Sequence, residues 1–387
     1  AAAYFTDRYV TDWGDAINFD GDGAAGVREF FAENAGYWIE EFHLDGLRLD
    51  ATQSINDASA EHILALVVRR AREAAKEKTI FIVGENEPQD VKLIDDYGLD
   101  ALWNDDWHHT AMVAATGIRE AYYTDYLGTP QEFVSMAQSG FLYQGQYYSW
   151  QKETRGTPSG HLPPASLVCF LQNHDQLANS ATGERLQYLT RPGIYRALTA
   201  LLILGPNTPM LFQGQEFGSS APFLYFADHK PELAVLVAKG RREFLDQFPS
   251  IKAIDREVAR PDAIETFEQC KLDHRERETH AWATAMHRDL LRLRREMAGA
   301  VRGAVIGLET FILRYDDDWL LIVNLGHELR LEIVDEPLLS PPPENRWEIA
   351  WSSDSPDYGG PGIHAIETDG AWQLPAHAAI VMQRRQR

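Results

Sequence analysis

Short apolar runs that stop at polar or acidic residues, separated by stretches of helical spacing, recur through residues 45–217 and leave few folds open to this chain. The runs are LRLDA after the Asp45-Gly46 turn, TIFIVGE (79–85), ALWND (101–105), SLVCFLQNHD (166–175) and TPMLFQGQEF (208–217). VREFFAENAGYWIEEF (27–42) reads as a helix with Phe30, Phe31, Tyr37, Trp38 and Phe42 available for its apolar face. A second helix, capped by Asp57 or Ser59 and running to about Lys76, carries Ile63, Leu64, Val67, Val68 and Ala71 at helical spacing. A short helix is expected near 90–97, and PGIYRALTALLILG (192–205) is a helix with proline in its first turn. Strand and helix alternate, the pattern of parallel βα units, and five such strands are expected.

The Gly-, Tyr- and Gln-rich run 123–165 reads as a long excursion over one face of the sheet, and 275–297 as a charged amphipathic helix with Trp282, Met286, Leu290 and Leu293 inward. Composition changes after Gly299. ETFILRY, WLLIVNL, LRLEIV, WEIAW and AAIVM, separated by Asp, Gly and Pro clusters, read as antiparallel strands of a small β-sandwich. The expected organisation is an α/β region over residues 1–298 followed by an all-β domain over 299–387.

A net charge of −22 argues against nucleic acid or an anionic membrane as partner, since both select basic surfaces. The longest apolar run, Ala197 to Leu204, falls short of the roughly 20 residues of a membrane span. Two cysteines, Cys169 and Cys270, make neither a disulfide framework nor a zinc cluster and fit a reducing cytoplasm. No secretory leader is visible, and the chain opens Ala-Ala-Ala, so its natural start is expected upstream.

Three acids close three separate apolar runs. Strand alternation puts Arg48 and Asp50 on one face and Leu47 and Leu49 on the other. In a parallel barrel the leucines meet the helices and the Arg–Asp pair faces inward, where the cation favours the ionised carboxylate that a glycosidase nucleophile needs. Glu85 ends Phe81-Ile82-Val83-Gly84, where partial desolvation would raise its pKa and suit a general acid. Asn173-His174-Asp175 supplies a third acid and an imidazole that can donate to a sugar hydroxyl. Each alone is as readily a structural ion pair, a solvated strand end or a loop cluster. Together, at the carboxyl ends of parallel strands, they point to one face and to the carboxyl pair, about 5 Å apart, of a retaining glycosidase.

The segments DGLRLDA (45–51), FIVGENE (81–87) and FLQNHDQ (170–176) resemble the second, third and fourth motifs of the α-amylase family in order and spacing. The resemblance implies a (β/α)8 barrel with Asp50 as nucleophile, Arg48 as its positioner, Glu85 as acid/base, Asp175 as transition-state stabiliser, and His174 with Asn173 at the sugar being cleaved. LGPNTPMLFQGQEFG (204–218) resembles the last barrel strand and its loop. YFTDRYVTDWGDAINFDG (4–21), LWNDDWHH (102–109), APFLYFADH (221–229) and KGRREFLDQFP (239–249) resemble the members that cleave the α-1,4 bond beside a terminal trehalose. In those strings Trp103, Trp107, Phe223, Tyr225 and Phe226 are candidate platforms for sugar rings, each as readily a core residue. Asp105, Asp106, His108, His109 and Glu216 are candidate hydroxyl partners.

The resemblance implies an α-glucan oligosaccharide as the partner and no cofactor; some members of the family bind structural calcium, but no clustered loop ligands stand out in this sequence, so no metal is expected. It also implies what is missing. The family's first motif, its first three barrel strands and an N-terminal β-domain have no counterpart here, so the chain is expected to hold about strands four to eight. Two rivals share the three acids: a glucan-branching transferase and a carbohydrate-binding remnant without turnover.

Overall fold

Each acid-terminated run becomes a short parallel strand in a computed structural model that describes residues 4–11, 14–253, 258–368 and 371–387. Asp12 and Trp13 of the 4–21 string lie outside the described residues. The chain divides into two compact units, one of residues 1–105, 143–148 and 153–168, the other of 106–142, 149–152 and 169–387.

In the first unit, strands Gly46–Leu49, Phe81–Gly84 and Ala101–Trp103 lie side by side in that order, followed by the first residues of Leu167–Phe170. All are parallel, with Arg48 opposite Val83, Leu49 opposite Gly84, and Leu102 opposite Leu167. The order permits only glycine at position 46, because a Cβ there would stand 1.8 Å from the Phe81 carbonyl oxygen. Leu47 and Leu49 point toward the helices, as alternation requires, and with Phe31, Trp38, Ile63 and Val67 line an apolar cavity of about 350 Å³.

Helix Ala24–Glu40 packs on helix Ile63–Ala75. Its buried side is Val27, Ala32, Ala35, Gly36 and Ile39, whereas Phe30, Tyr37, Trp38 and Phe42 are exposed. Of the expected apolar face, Phe30, Tyr37 and Phe42 are thus turned to the surface, while Phe31 and Trp38 reach the cavity beside Leu47 and Leu49. A Cβ on Gly36 would sit 3.6 Å from Ala74 Cβ, so the two backbones approach too closely to admit rings between them. The second helix starts later than its cap suggested: Asp57 Oδ2 accepts from Ile63 N (2.6 Å) and His62 Nδ1 from Leu64 N (3.2 Å).

The second unit is built around helix Pro192–Leu204, on which every residue from Ile194 onward is buried. The carbonyls at and just beyond its C-terminal end are held by side chains. Arg294 donates to the Ile203, Gly205 and Asn207 oxygens at 2.6–2.7 Å, and the Tyr315 hydroxyl donates to Leu204 O at 2.5 Å. Helix Ala281–Glu296 presents Met286 and Leu290 to the same core. One antiparallel sheet has the order 301–307, 310–315, 319–324, 378–386, 345–352, and a smaller one 329–331, 371–374, 367–368. Phe311, Leu313, Leu321 and Val381 of the larger sheet share a single core with helix Pro192–Leu204. The strand-rich region starts where composition shifts, yet packing runs without a break across residue 299.

Three elements differ from expectation. Helix Asp105–Thr116 follows directly on Ala101–Trp103. The 123–165 excursion contains helix Pro130–Ser139, set by a Thr129/Glu132 capping box, and a hairpin of Gln146–Tyr148 with Glu153–Arg155. The last strand covers only Thr208–Met210, because Gly214 (φ 82°) and Gly218 (φ 61°) turn the chain around a single 3-10 turn, Gln215–Phe217. No helix among the described residues is long and apolar enough to cross a membrane.

Candidate active site

One guanidinium organises the acidic cluster of the first unit. Arg48 leaves strand Gly46–Leu49 on the face opposite the leucines and lies flat over the Trp103 ring, its Cζ 4.1 Å from the ring centroid. Nη1 donates to Asp50 Oδ1 at 2.5 Å, and Nη2 stands 2.8 Å from Glu85 Oε2, an ion contact without hydrogen-bond alignment. Two carboxylates on the two prongs of one fork have oxygens no more than roughly 7–8 Å apart, which admits the ~5 Å separation of a double-displacement mechanism. The backbone joins in: Ala51 N donates to Glu85 Oε2 (2.9 Å), and Thr52 N donates to the Glu85 carbonyl (3.0 Å). Ala51 takes a left-handed conformation, φ 42°, to aim its N–H there.

This geometry revises two expectations. The Asp50 side chain is 73% exposed, because it leaves the sheet at the end of the outermost strand, and Arg48 is only three-quarters buried. The Glu85 side chain, 24% exposed, meets the Arg48 guanidinium and the Ala51 N–H. Trp103 is a shelf for Arg48, not an open platform for sugar.

In the second unit Asp175 and His174 stand in the first turn of the five-residue helix His174–Ala178, after strand Leu167–Phe170 has ended. Both are about half exposed, with His174 Nε2 3.0 Å from Asp175 Oδ2. Asn173 was expected at the sugar; it is buried and serves as the helix N-cap, its Oδ1 accepting from Gln176 N at 2.7 Å.

The LWNDDWHH residues are mostly consumed internally. Asp106, Trp107, His108 and His109 are buried on helix Asp105–Thr116, while Asp105 is half-buried. Asp106 accepts from the Tyr126 hydroxyl (2.6 Å) and from Leu142 N (2.9 Å). His108 is bridged between Leu171 O (2.8 Å) and the Tyr123 hydroxyl (3.1 Å), and burial pushes its imidazole down to about 4. His109 packs among the Tyr122, Tyr123 and Tyr126 rings. Expected as ligand contacts, these side chains hold the unit together. A helix began where a strand-end loop was anticipated, and its inward side takes them.

Glu216, half-buried, faces Arg277 at 3.5 Å. Tyr225 is 42% exposed with Arg241 over its ring, and Phe226 packs edgewise on Phe223 and Phe267. Residue patterns did not single out Gln176, which accepts from Tyr122 and Tyr123, or Arg241. The signal for Arg241 was its place in the KGRREFLDQFP string (239–249). Among the described residues no group of three or more His, Cys, Asp or Glu is arranged to hold a metal.

Known proteins resemble this chain over most of its length. Residues 298–381 match DUF3459, a domain of unknown function. The malto-oligosyltrehalose trehalohydrolase of Deinococcus radiodurans is 37% identical over 300 residues, 76% of this chain and 49% of that protein. The enzyme of that name from Saccharolobus solfataricus is 39% identical over 245 residues, 62% of this chain and 43% of its own length. The 1.4 Å crystal structure of a candidate α-amylase from Salmonella typhimurium superposes with a TM-score of 0.83 at 32% identity, covering 100% of this chain and 64% of the other. The chain thus spans about half the length of the curated relatives it matches.

Proposed function

We propose that the chain belongs to the α-amylase family and carries the catalytic carboxylates of a retaining glycoside hydrolase that cleaves the α-1,4 bond beside the terminal trehalose of malto-oligosyltrehalose. Its parallel strands are then the fourth to eighth of a (β/α)8 barrel and its antiparallel sheets the domain that follows. Asp50 attacks the anomeric carbon while Glu85 protonates the leaving oxygen, and a glycosyl–Asp50 ester forms. Water deprotonated by Glu85 then opens the ester and releases the product with its configuration kept. Asp175 stabilises positive charge on the sugar ring, His174 bonds its hydroxyls, and Glu216, Tyr225 and Phe226 are the remaining substrate contacts. The two buried cysteines, Cys169 and Cys270, suit a reducing, cytoplasmic setting.

One observation carries the reading: a single guanidinium that holds both Asp50 and Glu85. A structural ion pair needs one acid, whereas a double displacement needs a nucleophile kept charged beside a second carboxyl. Incubating the protein with maltotriosyltrehalose should release free trehalose, and Asp50→Ala should abolish release without unfolding the chain. New α-1,6 branches would replace the hydrolase with a transferase. Near-normal turnover by D50A would remove Asp50 from the nucleophile's role.

A further inference from the structure

The string Lys239–Pro249 is a motif to which the proposed chemistry gives no task, and it ends up against the acid of the second unit. Asp175 is not held by a strand. Strand Leu167–Phe170 stops five positions earlier, and the carboxylate stands on a helix of one turn. A single turn does not persist alone, since the cost of its first hydrogen bond exceeds the gain. Its position has to come from side chains at its two ends.

Asn173 caps the N-terminal end. At the C-terminal end Arg241, from helix Pro231–Leu245, donates through Nη1 to Asn179 Oδ1 at 2.8 Å and through Nη2 to the Ala178 carbonyl. A cation on the last carbonyls of a helix is the favoured arrangement, and the two prongs fix direction as well as distance. The guanidinium is itself confined, with its Cζ 5.3 Å from the Tyr225 ring centroid and 5.2 Å from that of Phe244. Burial pulls Arg241 below its ordinary value, while the Tyr122 and Tyr225 phenols and the Asp175 carboxylate pull the other way. Gln176, beside the acid, is steadied by the Tyr122 hydroxyl at 3.0 Å.

We propose that Arg241 is the positioning residue for Asp175, holding the one-turn helix from its C-terminal end so that the carboxylate stands where the sugar's positive charge develops. The inference rests on the role of Asp175 given above. Arg241 does not touch substrate. It acts through the Ala178 carbonyl and Asn179, and Tyr225 couples the same guanidinium to the neighbouring loop.

The test compares Arg241→Gln, Arg241→Lys and Asp175→Asn in the full chain, with maltotriosyltrehalose as substrate and hydrogen exchange of residues 174–179 read in parallel. In R241Q, kcat should fall about 30- to 100-fold with KM within threefold, the signature of an ångström-scale displacement of a group that acts in the transition state. Exchange over 174–179 should rise at least tenfold while the thermal midpoint stays within a few degrees. R241K should recover part of both, since it keeps the charge and loses the fork. The proposal falls if R241Q keeps kcat within threefold of the parent, or if exchange over 174–179 is unchanged in both Arg241 variants. If D175N turns over normally, the role of Asp175 fails instead, and exchange alone decides whether Arg241 holds the helix. Should R241Q not fold, R241K is compared with the parent on the same two readouts.

Discussion

Arg48 shows how much of a site can rest on one side chain. A lysine at position 48 keeps the charge but replaces the planar fork with a single nitrogen, so it does not reproduce the two-pronged hold on Asp50 and Glu85, and it loses the stacking on Trp103. Arg48→Lys should therefore lower kcat roughly 100-fold or more, with the fold intact by circular dichroism. His108 makes a separate prediction about stability. Its imidazole is neutral in the folded protein down to about pH 4, whereas the unfolded chain takes up a proton near the ordinary 6.5. Between those values the unfolded state binds more protons, so this group destabilises the fold as pH falls, by about 3 kcal/mol at pH 4. Comparing urea unfolding of the parent and His108→Gln from pH 7 to 4.5 should show a shallower pH dependence in the variant; parallel curves would refute it. At this scale Asp50, Glu85 and Asp175 could be found from sequence because each closes an apolar run. Asn173, Asp106 and His108 could not be sorted from them, since a polar residue after a strand reads alike whether it meets ligand, caps a helix or turns into the core.

Strand and helix periods survived the fall from sequence to structure better than the faces did. The strands at 46–49, 81–84, 101–103 and 167–170 and helix 192–204 all stand where period and proline placed them. Helix Ala24–Glu40 stands where its period places it, but only Phe31 and Trp38 of its five aromatics reach the strand leucines, because hydrophobicity points to rings while closeness of approach to the next helix is governed by Gly36. Two glycines on neighbouring elements should behave oppositely for this reason. Gly36→Ala adds a methyl at ordinary contact distance, 3.6 Å from Ala74 Cβ, in mid-helix, and should stabilise the protein by about 0.5–1 kcal/mol. Gly46→Ala drives a methyl into the Phe81 carbonyl across the parallel pair and must part the strands that carry Arg48 and Glu85. It should cost about 3 kcal/mol or more and lower soluble yield. Thermal melts of the two variants check both signs, and equal shifts would contradict the close approach at Gly46.

Composition divides the chain at residue 299, and packing does not. Helix Pro192–Leu204 sits in one core with Phe311, Leu313, Trp319, Leu321, Val323 and Val381, and its final carbonyl is capped by Tyr315. The sequence could mark where strands replace helices, but not that both sets bury the same helix, because a shared core leaves no trace in local period. Each of those large side chains contributes about 1.5–3 kcal/mol by leaving water, and their sum rivals the roughly 5–15 kcal/mol by which a domain is stable. A chain ending at residue 298 would expose one whole side of its central helix and leave Leu204 O unpaired. It should be insoluble, or show helix signal without a cooperative melt, while residues 299–387 alone should bind an apolar dye through the sheet face they turn to that helix. The full chain should melt helix and sheet signals of this unit together. A truncated 1–298 protein with a sharp transition at the parent's midpoint would mean that the C-terminal sheets are an appendage, and the core that holds Asp175's unit would have to be sought on the other side of the helix.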